Sequence, residues 1–83
     1  MFLGKIKFYT SCFVLTEMYI RDSNVIVLVD CDYHEHKLMF YTPDAAEKGL
    51  DNIWKCLTQN GYCSVDAINL KTGDFVAYGK VFD

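Results

Sequence analysis

The densest group of side chains that could do chemistry is the stretch 31–36, which reads Cys-Asp-Tyr-His-Glu-His. A thiol and two imidazoles are ligands that zinc accepts. In an extended backbone His34 and His36 would share one face, because side chains alternate along a strand. Cys56 or Cys63 could complete such a site from elsewhere in the chain. The chain has no Cys-x-x-Cys pair, however, and ligand types without module spacing are weak evidence. We therefore expect solvated histidines in a polar turn, no metal centre and no cofactor.

The same stretch is the best place to look for a catalytic residue. A thiol nucleophile at Cys31 would need His34 within hydrogen-bond reach and a third group to orient the imidazole. No spacing in the sequence supplies that third group, and a buried, inert cysteine is the ordinary case. Gly61 and Gly73 stand singly and form no phosphate-cradling loop. The sequence predicts that the protein is not an enzyme.

Length and composition indicate one folded domain, residues 1–83. The hydrophobic share of 52% and the aromatic share of 16% are typical of a globular chain and not of a disordered one. The net charge is −3 and most of the basic residues are scattered, which disfavours a phosphate backbone as partner. Tyr9, Phe13 and Tyr19 could stack on single-stranded bases with Lys5 and Lys7 on phosphates, but the net negative charge argues against nucleic acid as a partner.

The compartment is predicted from what the chain lacks. No run approaches the roughly 18 apolar residues of a membrane span, so we expect no membrane partner. The apolar stretch after Lys5 and Lys7 contains Glu17 and no small-residue cleavage site, so it does not read as a secretion signal. The four cysteines are then expected to be reduced in a cytoplasmic protein.

Hydrophobic periodicity predicts three strands before a helix. Residues 2–20 alternate between apolar and polar side chains, which indicates one long strand with a bend or bulge near Thr10–Ser11. The β-branched run 25–29 predicts a central strand that is buried on both faces. Residues 36–42 alternate again and predict the third strand.

The helix has local start and stop signals. Pro43 suits the first turn, Asp44 and Glu47 are spaced as a capping box, and the pair Asn60-Gly61 supplies a left-handed stop. The apolar stripe predicts the buried side, Trp54 included; it comprises Ala46, Leu50, Ile53, Trp54 and Leu57. Two strands, 62–70 and 75–82, follow as a hairpin around the turn 71–74.

The predicted fold class is therefore α+β: an antiparallel sheet of about five strands with one helix packed on one face, in the order β-β-β-α-β-β. A single helix covers only one side of such a sheet. Both sides of the predicted strands nevertheless carry apolar residues. One set comprises Phe8, Cys12, Val14, Met18, Ile20, Leu38 and Phe40, and the other comprises Tyr9, Phe13, Leu15, Tyr19, Met39 and Tyr41.

This coverage argument predicts a docking face. The second set is rich in Tyr and Phe, types that are enriched in interface cores, and exposed apolar patches usually mark binding sites. We expect the helix-free side to bind another protein or a second copy of the chain as a homodimer. The alternative is a sheet that curls into a partial barrel and buries both sets within one chain.

The general type of the chain adds a resemblance. A small, self-contained, Tyr- and Phe-rich, mildly acidic domain without catalytic residues resembles the accessory proteins that bacteriophages make against host systems. The likeness is compositional and covers no defined motif. It implies a steric inhibitor or adaptor; the other function class is a small metal- or nucleic-acid-binding regulator. The candidate contact residues are Tyr9, Phe13, Tyr19, Met39, Tyr41 and Tyr78, with Asp30, Asp32 and Glu35 as an acidic rim.

Overall fold

The computed structural model describes residues 3–8, 11–77 and 80–81, with the backbone alone for 76–77 and 80–81. The elements are β1 Gly4–Lys7, β2 Cys12–Arg21, β3 Val25–Asp30, β4 Glu35–Met39, α1 Pro43–Asn60, β5 Tyr62–Ser64, a 3-10 turn Val65–Ala67, β6 Val76–Ala77 and β7 Lys80–Val81. Strands β1 to β5 form one sheet, and β6 and β7 form a separate two-stranded sheet. The predicted α+β class, a sheet of about five strands with one helix, is confirmed.

The strand order of the main sheet is β4-β3-β2-β1-β5. Neighbours are antiparallel except β1 and β5, which run parallel, so the sheet is mixed and not purely antiparallel. The predicted single long strand over 2–20 is wrong, because it folds back on itself as the hairpin β1–β2. Phe8 and Ser11 close this hairpin by bonding backbone N–H to carbonyl in both directions, at 2.7 and 3.3 Å.

A β-bulge at Thr16 decides which side chains face the helix. Leu15 pairs with Asp30 and Glu17 pairs with Val29, so β2 advances two residues where β3 advances one. The extra residue is stabilised locally, because the Thr16 hydroxyl donates to the carbonyl oxygens of Val29 and Asp30 at 3.1 and 3.3 Å. The bulge reverses the alternation upstream of it.

Helix α1 has the predicted Pro43 in its first turn and ends at the predicted Gly61 stop. Thr42 is the N-cap, and its hydroxyl accepts from the backbone N–H of Ala45 at 3.1 Å, so the cap is Thr42 and not the predicted Asp44. Gly61 ends the helix in the left-handed region, with φ 76°, and its N–H bonds to the Leu57 carbonyl. A turn over 69–74 then packs on the helix, where the Asn52 side chain donates to the Gly73 carbonyl at 2.8 Å.

The core lies between α1 and one face of the sheet. Its fully buried side chains come from β1, β2, β3, β5, the helix and the residue before β6, and they include Ile6, Leu15, Ile26, Leu28, Ile53, Cys63 and Phe75. The prediction that β3 is buried on both faces is confirmed, since Val27 and Val29 on its other side are buried as well. Trp54 was predicted in the core, but 47% of it is exposed, so that prediction is wrong.

The predicted C-terminal hairpin of two long strands is also wrong. The chain leaves the sheet after Ser64 because Val65–Ala67 turns as a 3-10 helix, closed by a bond from the Ile68 N–H to the Val65 carbonyl. Among the described residues, the Ile68–Phe75 bridge is the one strand pairing that joins the two predicted strands. The sheet stays open in the part of the chain that the structure describes, with β4 and β5 at opposite edges, so the predicted barrel alternative does not form there.

Candidate interaction surface

The side of the sheet away from α1, here called the helix-free face, is defined by the strand register. Tyr19 pairs with Val27 and Val27 with Lys37, while Lys5 pairs with both Val14 and Tyr62. Residues two apart on each strand share that side. The face comprises Lys5, Lys7, Cys12, Val14, Glu17, Tyr19, Arg21, Val25, Val27, Val29, Glu35, Lys37, Met39, Tyr62 and Ser64.

One half of this face is covered by a polar cluster. Arg21 on β2 and Glu35 on β4 form an ion pair at 2.8 Å that crosses β3 on the side of the fully buried Val27. The Tyr19 hydroxyl accepts from Arg21 at 2.7 Å and donates to Glu35 at 3.4 Å. The hydrogen bond from Arg21 lowers the pKa of Glu35, and the same contact raises the pKa of Arg21. The sheet therefore shields its central valine with charged side chains where no helix is present.

The other half of the face has apolar depressions with a basic rim. One open depression is lined by Gly4, Lys5, Val14 and Gly61, and an adjoining one by Lys5, Ile6, Lys7, Cys12, Tyr62 and Cys63. Tyr62 beside them is 64% exposed. The solvent-accessible apolar side chains of these depressions are those of Cys12, Val14 and Tyr62, and two lysines border them. An apolar centre with a polar border is the usual anatomy of a contact site.

Several predicted contact residues do lie on or beside this face. Tyr19 and Glu35 belong to the polar cluster, and Met39 is 66% exposed on β4. Tyr41 follows β4, is 68% exposed, and has the Lys71 ammonium 5.7 Å from its ring centroid. Their role in binding stays a prediction. Tyr9 and Tyr78 lie outside the described residues.

Phe13 was predicted on the helix-free side, and that placement is wrong. Phe13 pairs with Ile6 and packs against the core on the helix side, because the bulge at Thr16 reverses the alternation between it and Tyr19. Its ring stacks on His36, with centroids 3.8 Å apart. Phe13 therefore cannot join Lys5 and Lys7 in the base-stacking platform that the sequence allowed.

Of the three residues of the predicted acidic rim, Asp30 does not lie at a rim, whereas Asp32 and Glu35 are exposed. Asp30 is buried, and its Oδ1 accepts from the backbone N–H of Asp32 and of His34 at 2.8 and 3.0 Å. Its Oδ2 accepts from His36 Nε2 at 2.9 Å. The His36 bond is the main cause that lowers the pKa of Asp30, and the two backbone bonds act in the same direction. Asp32 is exposed in the turn, while Glu35 is held by Arg21. Asp30 thus organises the β3–β4 turn.

The stretch 31–36 is accordingly a hairpin turn that leads into β4. Tyr33 takes a positive φ of 66°, and its N–H bonds to the Asp30 carbonyl at 3.1 Å. Across residues 3–8, 11–77 and 80–81, no group of three or more His, Cys, Asp and Glu side chains has the arrangement of a metal site. Within the same residues, no helix has the length and apolar character that crossing a bilayer requires.

Sequence reasoning missed Tyr62, and it considered Lys5 and Lys7 only as phosphate contacts. Tyr62 reaches Lys5 only because β5 runs parallel to β1 after an 18-residue helix, a long-range pairing with no local signal. Lys5 and Lys7 did carry a signal, since they alternate with the buried Ile6 and so had to share the outer face.

Comparison with protein-family models, with curated proteins and with solved structures finds no match to this chain.

Proposed function

We propose that this protein is a small cytoplasmic protein-binding domain that acts sterically, as an inhibitor or adaptor, and that it binds its partner through the helix-free face. The observation that carries the proposal is the pair of apolar depressions beside Tyr62, on a sheet face that α1 does not cover. A partner side chain seated there would be shielded from water by its neighbours, as interface anchors are.

The charges around the depressions indicate the chemistry of the partner. Lys5 and Lys7 are exposed at the rim, and neither makes an ion pair with another described residue. Complementary charge fixes orientation and speeds encounter. The partner surface should therefore present an apolar or aromatic anchor flanked by carboxylates, although the protein as a whole carries a net charge of −3.

The compositional resemblance to bacteriophage accessory proteins supports a host protein as the partner. Such proteins act by occupying a surface of a host enzyme or complex. A sheet face needs no moving part for that role, which fits a domain whose buried apolar residues form one core.

The proposal is tested by affinity capture from bacterial lysate with the tagged full chain, quantified by mass spectrometry. Tyr62→Ser and Lys5→Glu should each reduce recovery of the stoichiometric partner by roughly tenfold, the size expected for loss of an anchor contact. Trp54→Ser is the matched control, since Trp54 is a half-exposed aromatic on α1. Circular dichroism checks that each variant is folded.

Two results would reject the proposal. One is the absence of any stoichiometric protein partner in the capture. The other is a partner lost with Trp54→Ser but retained by both face variants, which would move the contact to the helix.

A further inference from the structure

Strand β4 presents an open row of backbone hydrogen-bonding groups. It is an edge strand, paired to β3 on one side only. The Phe40 N–H donates to the Asn24 carbonyl at 2.8 Å, and the Asp30 N–H donates to the His34 carbonyl at 3.0 Å. The residue pairs 24/40 and 30/34 are therefore hydrogen-bonded pairs of the ladder. Such pairs alternate in antiparallel strands. The peptide groups of Glu35, Lys37 and Met39 therefore point away from β3 toward the open edge.

Further along the chain, the same row of outward-pointing peptide groups is already hydrogen-bonded to another backbone segment. The Tyr41 N–H, next in the row after Met39, donates to the Leu70 carbonyl at 2.9 Å. This shows that a second segment can lie against this edge. Among the described residues nothing comparable reaches Glu35, Lys37 or Met39, so the open part of the edge is β4 itself.

The first two side chains of the open row, Glu35 and Lys37, carry opposite charges. Glu35 and Lys37 are both exposed and lie on the helix-free face. Glu35 is held by Arg21, and Lys37 has no ion-pair partner within 4.0 Å in the described part of the chain. When a second copy of β4 lies antiparallel to the first, each Glu35 can lie opposite a Lys37. The charge pattern is therefore self-complementary about a two-fold axis, as a symmetric contact requires.

We propose that two copies of the chain pair antiparallel through β4, with Glu35 of each copy opposite Lys37 of the other. This register joins outward-facing residues to outward-facing residues, as a ladder requires. It also forms two opposite-charge cross-strand pairs about one axis. The two sheets then become one continuous sheet, and the helix-free faces of the two copies lie side by side.

Charge selects this register against its neighbour. Shifting one copy by a single hydrogen-bonded pair would place Lys37 opposite Lys37 of the second copy, and like charges directly opposite are destabilising. A lysine on an edge strand normally discourages pairing. Here it discourages every partner strand that lacks an acidic residue at that position, and the chain's own Glu35 supplies one.

The test is sedimentation velocity of the pure full chain from micromolar to hundreds of micromolar concentrations. We expect a monomer–dimer equilibrium for the natural sequence. Lys37→Glu and Glu35→Lys should each raise the dimer Kd by roughly tenfold or more, about 1.4 kcal/mol. An equimolar mixture of the two variants should associate again as a heterodimer, because both cross-strand pairs are then restored. Lys7→Glu, which makes the same charge change on β1, should leave the Kd unaltered.

A backbone variant separates strand pairing from simple charge attraction. Lys37→Pro removes an N–H that points away from β3, so it removes no hydrogen bond within the sheet, and proline is tolerated on edge strands in that position. It should abolish the dimer, whereas Lys37→Gln, which keeps the N–H, should only weaken it. This pair also stands in if Glu35→Lys fails to fold for want of its Arg21 contact.

A natural chain that stays monomeric throughout the range overturns the inference, and so does a dimer that withstands both charge reversal and Lys37→Pro. The measurement uses pure protein, so its outcome is independent of whether a host partner binds the helix-free face.

Discussion

The imidazole of His36 lies flat against the phenyl ring of Phe13, with ring centroids 3.8 Å apart and an angle of 6° between the planes. Phe8 packs beside both rings, with its centroid 5.6 Å from that of Phe13 and 5.5 Å from that of His36. The far edge of the imidazole bonds to Asp30 through Nε2 at 2.9 Å. This chain of contacts ties the β1–β2 hairpin to the β3–β4 turn at one corner of the sheet.

Asp30→Asn should lower the stability of the domain. The natural carboxylate accepts three bonds, from the backbone of Asp32 and His34 and from the His36 ring. An asparagine keeps one oxygen for the two backbone N–H groups, but a neutral amide replaces the charged oxygen that faces His36, so the charge-assisted bonds are lost. Urea unfolding at neutral pH measures the loss. Asp32→Asn, an exposed carboxylate in the same turn, is the control and should unfold at nearly the same urea concentration as the natural protein.

The same carboxylate predicts the direction of acid sensitivity. The pKa of Asp30 is lower in the folded chain than its ordinary value, so the folded state holds fewer protons than the unfolded state in the acidic range. Its contribution is therefore complete above about pH 4 to 5 and is lost as the pH falls through the folded pKa. Glu35 and Asp74 act in the same direction. The urea concentration at the midpoint of unfolding should decrease as the pH is lowered from 5 to about 3. This decrease should be smaller in Asp30→Asn than in the natural protein. An equal slope in the variant would contradict this assignment.

The helix and the central strand were predictable because their signals are local. Pro43 and Gly61 bound the helix through their own backbone preferences. The β-branched run 25–29 needed no partner to be recognised as a strand that is buried on both sides. In both cases neighbouring residues in the sequence decide the structure.

The faces of β2 were not predictable in the same way. A period of two assigns every side chain of a strand from any one of them, so one inserted residue reverses all those on one side of it. Thr16 causes that reversal, and it places Phe13 and Leu15 with the core and leaves Tyr19 outside. The visible signal was a polar threonine within an apolar alternation. The contact between Tyr62 and Lys5 had no such signal, since it depends on the route of the chain after the helix.

Thr16→Val should destabilise the domain by about 1 kcal/mol, the net contribution of a typical hydrogen bond. Valine has nearly the same shape but lacks the hydroxyl that donates to the carbonyl oxygens of Val29 and Asp30. Thr16→Ser keeps that donor and is the control. Chemical denaturation of both variants measures the difference. Equal stability of the valine variant and the natural protein would show that the bulge does not depend on the hydroxyl.

Gly49→Ala should destabilise the domain although alanine favours helices. A Cβ at position 49 would lie 2.6 Å from Cζ of Phe40, so the buried ring would have to move. Overpacking of this kind costs about 1–3 kcal/mol, which exceeds the gain in helix propensity of roughly 1 kcal/mol over most of that range. Glu47→Ala, at an exposed position of α1, should stay within about 0.5 kcal/mol of the natural protein. A stabilised Gly49→Ala variant would mean that Phe40 has room to shift.

Thr42→Ala should cost about 1 kcal/mol of the free energy of unfolding, as loss of an N-cap does. The hydroxyl that accepts from the Ala45 N–H is removed, and that donor lies at a buried residue. Thr42→Ser keeps the acceptor and should be close to the natural protein. Asp44→Ala separates the two candidate caps. Because Thr42 is the N-cap, Thr42→Ala should lower the free energy of unfolding more than Asp44→Ala does. The opposite order would mean that Asp44 caps the helix.

The four thiols should differ in reactivity with an alkylating reagent such as iodoacetamide under native conditions. Cys12 and Cys31 are exposed, whereas Cys63 is buried in the core. Burial raises the pKa of the Cys63 thiol, and the thiolate is the reactive form, so access and ionisation both disfavour its alkylation. Peptide mass spectrometry should find Cys12 and Cys31 modified first and Cys63 last. In denaturing urea all four should react at similar rates, which controls for the reagent. Rapid native labelling of Cys63 would mean that β5 separates from β1 in the folded protein, since Cys63 pairs with Ile6 across that contact.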